Sequence, residues 1–142
     1  MQLVPTATLM EHVQEASQGA DRGVPLLCVL MNQDDSSNKG RYKEGEDLLQ
    51  RVSDIIDMYA RIGWSVYWAV LNVDVIDRLT DRLRPIPAYW TVVRASIKSP
   101  DDPSRKTFGR LDSAAHDLAK TRSGHLHVLD DAGNVSRSVL LT

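Results

Sequence analysis

The chain has too few cysteines, too little basic charge and no apolar run long enough for several large protein classes. Its one cysteine, Cys28, cannot form an intrachain disulfide, which excludes a disulfide-stapled scaffold. Its net charge of −2 is not the basic excess of an obligate nucleic-acid-binding protein. Residues 1–9 lack a secretory signal, and no window approaches the roughly 18 consecutive apolar residues of a membrane-spanning helix. The sequence therefore predicts a soluble, cytoplasmic protein with no membrane contact.

Recognisable catalytic signatures are also missing. The sequence has neither a P-loop, nor a dinucleotide-binding glycine pattern, nor a serine in a Gly-x-Ser-x-Gly setting. Cys28 lies within an apolar run without a nearby charge to lower the pKa of its thiol, which favours a core role over a nucleophilic one. We therefore assign no catalytic residue, and whether the protein is an enzyme stays open.

The size and patterning of the chain indicate one globular domain over residues 1–142 with a substantial core. The clearest pattern is a run of apolar residues at helical spacing, which predicts a long amphipathic helix from Tyr42 to Arg61, ended by Gly63. We predict, in order, a helix over Thr8–Ser17, a strand over Val24–Met31, this long helix, a strand over Trp64–Val73, a helix over Val75–Leu83, a strand over Ala88–Lys98, a loop over Ser99–Lys106, a helix from Asp112 to near Gly124, and a hairpin of His125–Asp130 and Val135–Leu141.

This order, α-β-α-β-α-β-α-β-β, predicts an α/β fold. Strands that alternate with helices favour right-handed crossovers, so we expect the first three strands to be parallel. Nearly continuous apolar strands are typical of sheets covered by helices on both faces. The expected architecture is a three-layer sandwich with a mostly parallel sheet that ends in an antiparallel hairpin.

Two polar loops follow predicted strands, where ligands bind in open α/β sheets. They supply six candidate ligand-binding residues: Asp34, Asp35, Ser36, Lys39, Asn72 and Asp74. If the first two strands are neighbours, Asp34 or Asp35 approaches Asp74, and carboxylates with hydroxyl and amide oxygens suit Mg²⁺. The alternative is that these residues form solvated turns and a helix N-cap, which use the same residue types.

Aromatic residues of the second and third strands are candidates for an interface: Tyr67, Trp68, Tyr89 and Trp90. They are core residues if both sheet faces are covered, and interface anchors if one face or edge is open. Three histidines, His116, His125 and His127, raise the question of a shared metal, although histidines at alternate strand positions also suit a solvent-exposed face. We therefore assign no metal ligand.

Basic residues concentrate between residues 78 and 110, with Tyr89 and Trp90 among them, which is the composition of some nucleic-acid-binding surfaces. Aspartates interrupt the run, which favours a mixed solvated face.

Two functional hypotheses remain. The first is a small binding or regulatory protein that contacts a protein partner or a small ligand and forms a homo-oligomer. The alternative is a metal-dependent phosphoester hydrolase, nuclease-like or phosphatase-like, with Mg²⁺ as its cofactor and carboxylates at the C-terminal edge of the sheet.

Overall fold

The computed structural model describes residues 1–19, 23–32, 42–63, 65–98 and 104–142. The helices are α1 (Thr6–Gly19), α2 (Tyr42–Gln50), α3 (Ile76–Leu83) and α4 (Ser104–Thr121), with a 3-10 turn at Ser53–Ile55. The strands are β1 (Gln2–Leu3), β2 (Val24–Met31), β3 (Ile56–Gly63), β4 (Val66–Leu71), β5 (Trp90–Ile97), β6 (His125–Leu129) and β7 (Val135–Leu140). Within these ranges no helix combines the length and the apolar character needed to cross a membrane.

The strands form one mixed sheet in the order β1-β3-β4-β2-β5-β6-β7. Strand β2 lies at its centre and pairs antiparallel with both β4 and β5. Only the pairs β1–β3 and β5–β6 are parallel, whereas β3–β4 and β6–β7 are antiparallel. The α/β class is confirmed, but the prediction of a mostly parallel sheet is wrong.

Two apolar clusters cover the two faces of this sheet. Along β2, alternate residues serve opposite clusters, since Leu26 belongs to one and Leu27 to the other. The first cluster includes apolar residues of α1 and α4, and the second includes those of α2 and α3. The sheet therefore lies between two pairs of helices, as the sequence predicted for a three-layer arrangement.

The predicted helix over Tyr42–Arg61 is wrong in its second half. Helix α2 ends at Gln50, and after the 3-10 turn the chain becomes strand β3. The register between β3 and β4 shifts twice, at Ile56/Met58 and at Arg61/Gly63. A bulge inserts an extra residue into a strand, which interrupts the alternation of two. The buried positions of β3 are Ile56, Tyr59 and Ala60, and these spacings of three and four residues resemble a helical stripe.

The unrecognised strand β3 also explains the wrong strand directions. If a helix joined β2 to β4, the two strands would be parallel, but the chain passes through α2 and then β3. Strand β3 turns into β4 as a hairpin, so β4 runs antiparallel to β2 beside it. The terminal hairpin is confirmed, with Gly133 at φ 84° in its turn, a conformation that glycine adopts without strain.

Candidate functional site

The two loops predicted to form one ligand site follow β2 and β4. These strands are antiparallel neighbours, so they finish at opposite ends of the strand direction. Antiparallel pairing aligns Leu26 with Val70 and Leu30 with Val66, so the end of β2 lies beside the start of β4. Asn72 and Asp74 follow the other end of β4. The premise of parallel strands, on which their convergence with the first loop depended, is therefore wrong. Asp34, Asp35, Ser36 and Lys39 lie outside the described residues.

Asp74 and Asn72 already have partners within the protein. The Arg94 guanidinium donates two hydrogen bonds to the Asp74 carboxylate, one of them at 2.9 Å, and forms a salt bridge with it. The Asn72 amide donates to Asp57 Oδ1 at 3.2 Å. Asp74 makes no helix cap, because α3 begins at Ile76 and the capping position is Val75. Asp74 and Asn72 therefore tie the end of β4 to β5 and β3.

The predicted interface aromatics are mostly core residues, which corrects that prediction for three of the four. Tyr67, Trp68 and Trp90 are fully buried within the chain, while Tyr89 is half-buried. Both faces of the central sheet are covered, so Tyr67, Trp68 and Trp90 have no exposed surface to offer a partner. Buried indole N–H groups need acceptors: Trp68 Nε1 donates to Asp112 Oδ1 at 3.0 Å and Trp90 Nε1 to Glu44 Oε2 at 3.0 Å.

Each of the three histidines has a contact within the chain. His116 Nδ1 lies 2.8 Å from Asp112 O, one turn earlier in α4. The rings of His125 and His127 stack with their centroids 5.5 Å apart, and His127 is fully buried. Across the described ranges, no three His, Cys, Asp or Glu side chains group together in a way that would hold a metal.

Cys28 is a buried core residue, as its sequence context predicted. Burial raises the pKa of the Cys28 thiol, and the negative charge of Asp112 raises it further. The thiol therefore stays protonated, which is the opposite of what a nucleophile requires.

Ion pairs and hydrogen bonds within the chain occupy much of the predicted basic run. Besides Arg94, Lys98 donates to Asp131 at 2.9 Å and Arg82 bonds to Asp54. The Arg82 hydrogen bond lowers the pKa of the Asp54 carboxyl. This pairing agrees with a mixed solvated face.

The outer side of strand β7 is a further surface feature, which the sequence analysis did not identify. Strand β7 pairs with β6 on one side, and no strand of the described ranges pairs with the other. All six of its residues are exposed or half-buried, and at its ends Val135 and Leu140 are 43% and 52% exposed. The opposite edge strand, β1, has just two residues. The β7 edge (Val135–Leu140) is thus the longer of the two open edges, and we take it as the candidate functional site.

Comparison with known proteins identifies a fold but no family. No family model matches the chain, and no curated protein matches it. Among solved structures, the chain is similar to a diguanylate cyclase/phosphodiesterase from Caldicellulosiruptor saccharolyticus, with a TM-score of 0.56 over 89% of each chain. Their sequences are 14% identical, so the likeness is one of fold and not of activity.

Proposed function

We propose that this protein is a small binding protein that acts through protein contact as a homodimer, joined by antiparallel pairing of the two β7 edges. The observation that carries the proposal is a six-residue edge strand with exposed apolar residues at both ends. An unpaired strand presents a row of backbone N–H and C=O groups, which a second strand satisfies.

Both ends of the β7 edge carry some of the protection that keeps edge strands apart, and the centre of the strand lacks it. Proline, charged side chains and bulges are the usual protective features. Strand β7 contains no proline. Its pairing with β6 has one register shift, which lies at the start of β7, opposite Val128 and Leu129. Its one charged residue, Arg137, forms an ion pair with Asp77 of α3 at 3.3 Å. The rest of the strand is regular and uncharged.

The hydrogen-bonding pattern is compatible with a symmetric register for the proposed dimer. Leu141 N donates inward to Gly124 O, and alternation then directs the backbone groups of Ser138 and Leu140 outward. The Leu140 carbonyl accordingly accepts from Arg84, which lies outside the sheet, so this carbonyl is already occupied and the proposed pairing is centred on Ser138. A two-fold axis at Ser138 lets the two Ser138 residues exchange backbone hydrogen bonds.

Charge also favours this register. In this register Ser138 lies opposite Ser138 of the second copy. The two strands run in opposite directions, so Arg137 lies opposite Val139 of the second copy. A register one residue away places the two Arg137 side chains directly opposite each other, and like charges in that position are destabilising. The two-fold symmetry makes the contact close on itself, which favours a dimer over a fibre.

Substitution at the β7 edge tests this proposal. Leu140→Lys adds a charge to an already exposed position, so it should leave the monomer folded and abolish pairing. The matched control is Leu3→Lys on β1, where the leucine is 57% exposed. In size-exclusion chromatography with light scattering at tens of micromolar, we expect wild type and Leu3→Lys to be dimers and Leu140→Lys a monomer. A monomeric wild type, or a dimeric Leu140→Lys, would contradict the proposal.

We also propose that the protein works in the cytoplasm. Its thiol is buried and protonated, and the chain has no second cysteine for a disulfide. Both features suit a reducing compartment.

Metal-dependent phosphoester hydrolysis is our second proposal. Its support is the acidic segment containing Asp34 and Asp35, which the sequence predicts to be a loop, together with a fold similar to that of a protein whose name includes phosphodiesterase. Arg94 binds Asp74 after the end of β4, which lies at the opposite end from the end of β2. This proposed site therefore does not include Asp74. Calorimetric titration with Mg²⁺ should show binding that Asp35→Ala removes and Asp74→Asn leaves unchanged. Absence of binding to the wild type would contradict this proposal.

A further inference from the structure

We propose that protonation of His127 weakens the β7 dimer, so that mild acid releases monomers. This inference concerns the regulation of the same edge and rests on the proposed function. His127 is fully buried in β6 and lies directly opposite Ser138 of β7. Ser138 is the residue on the proposed two-fold axis, so His127 lies one strand away from the centre of the contact.

The hydrogen bonds of His127 connect its protonation state to Ser138. His127 Nε2 donates to Arg122 O at 2.8 Å, because a carbonyl oxygen can only accept. His127 Nδ1 therefore accepts from the Ser138 hydroxyl at 2.7 Å. A protonated ring has a donor on both nitrogens. Ser138 must then accept from Nδ1 and direct its own hydroxyl proton to another group.

The dimer accommodates this change less well than the monomer does. In the monomer no strand of the described ranges covers the outer side of β7, so water can accept from the half-buried Ser138. In the proposed dimer the two Ser138 side chains meet on the same face of the sheet, because the two-fold axis is perpendicular to it. Only one of the two hydroxyls can donate to the other. With both rings protonated, the second hydroxyl needs a further acceptor.

The cost of burying charge acts in the same direction. A second strand beside β7 moves water further from the His127 ring, and removal of water disfavours the charged form. Burial already lowers the pKa of His127 in the single chain, and the charges of His125 and Arg122 lower it further, although the hydrogen bond to Arg122 O opposes the shift. The His125 ring comes from the same strand, with the two ring centroids 5.5 Å apart.

The neighbouring strands direct their charged side chains to the opposite face of the sheet. Arg94 of β5 and Arg137 of β7 both lie opposite Val128, whose side chain alternates with that of His127. Arg94 pairs with Asp74 before α3, and Arg137 pairs with Asp77 within it. The charged groups that face the His127 ring are thus its strand neighbour His125 and Arg122 after α4, and both disfavour its protonation.

The dissociation constant of the dimer at two pH values tests the inference. Sedimentation equilibrium at pH 7.5 and 5.0 measures this constant, and tryptophan fluorescence shows whether the subunits stay folded. Coupling between two sites typically changes an affinity about 5–150-fold, and each dimer contains two His127 rings. We expect the Kd of the wild type to rise about tenfold or more between pH 7.5 and pH 5.0.

Two histidine variants identify the group that responds. His127→Gln replaces the ring with a side chain that stays neutral, so its Kd should be nearly the same at both pH values. His125→Gln is the matched control, because His125 is the other histidine of β6 and lies opposite Leu140 of the same edge. It retains His127 and should keep the pH response. A response that is lost in His125→Gln and kept in His127→Gln would overturn the inference.

A measurement on the wild type covers the case in which His127→Gln folds poorly. Dimer formation and protonation affect each other reciprocally, so NMR titration of the His127 ring should give a lower pKa above the Kd than below it. Equal Kd values at both pH values, subunits that unfold without dissociating, or a pKa independent of concentration would overturn the inference and leave the dimer intact. A wild type that is monomeric at pH 7.5 would overturn the proposed dimer and this inference together.

Discussion

Gly45→Ala is expected to destabilise the protein by about 1–3 kcal/mol, although alanine is the better helix former by up to about 1 kcal/mol. Gly45 lies in α2, where an added Cβ would come within 2.5 Å of Tyr67 Cε2 and 2.9 Å of Trp90 Cη2. Both rings are fully buried, and the hydrogen bond from Trp90 to Glu44 fixes one of them in place. Because protein interiors are close-packed, we expect buried rings to move away only at a cost, so the added methyl group should overpack the contact between α2 and the sheet.

Gly109→Ala in α4 is the matched control for Gly45→Ala. Among the described residues, apart from its chain neighbours and the backbone of its own helix, no atom lies within 4 Å of the position that its Cβ would take. We therefore expect this substitution to stabilise the protein by about 0.5–1 kcal/mol, the ordinary gain for glycine to alanine in a helix. Urea unfolding followed by tryptophan fluorescence measures both changes. A Gly45→Ala variant as stable as Gly109→Ala would contradict the close packing of α2.

The protein should lose stability as the pH falls below about 6.5, because His127 is buried in its neutral form. Arg122 O can only accept, so His127 Nε2, at 2.8 Å, must carry the proton. His127 Nδ1 then accepts from Ser138 Oγ at 2.7 Å. Burial lowers the pKa of His127, and the neighbouring His125 lowers it further, while the contact with Arg122 O opposes the shift.

The sign of this pH effect follows from the lowered pKa. Between the folded and unfolded pKa values, the unfolded chain binds a proton that the folded chain does not. The contribution of His127 to the free energy of unfolding is therefore fully present above the unfolded pKa of about 6.5. Below that pH it declines by at most about 1.4 kcal/mol per pH unit. Urea unfolding at pH 7.5 and 5.5 should show a smaller acid loss in His127→Gln than in the wild type. Equal acid losses, or a His127 ring signal that titrates above pH 6.5 in NMR, would contradict this account.

The sequence predicted those elements in which local pattern and tertiary environment agree. Strand β2 is buried on both faces and reads as a continuous apolar run, so its limits, Val24–Met31, match the prediction. Helix α3 and the hairpin of β6 and β7 were also predicted, because prolines and a glycine turn mark their ends. Strand β3 was missed because its bulges produce buried positions at helical spacing. That error alone changed the inferred strand directions.

The candidate sites were predictable to different degrees. The hairpin that includes Val135–Leu140 was predicted, but the place of β7 at the edge of the sheet depends on the strand order, which the sequence did not determine. The burial of Tyr67, Trp68 and Trp90 depends on helices that cover both sheet faces, which residue type alone does not reveal. The pairing of Asp74 with Arg94 joins residues twenty positions apart, and no local pattern indicates it.

The central claim, a dimer formed through the β7 edges, is tested most directly by an electron–electron distance between the two copies. Cys28 is fully buried, so a nitroxide label on Val135→Cys will not react at the native cysteine. With the two-fold axis at Ser138, the labelled positions are six residues apart along the paired strands, or roughly 20 Å. Pairing through β1 would instead separate them by thirteen strand spacings, roughly 60 Å. A distance near 20 Å is the predicted result, and a distance near 60 Å or no dipolar signal would contradict the account.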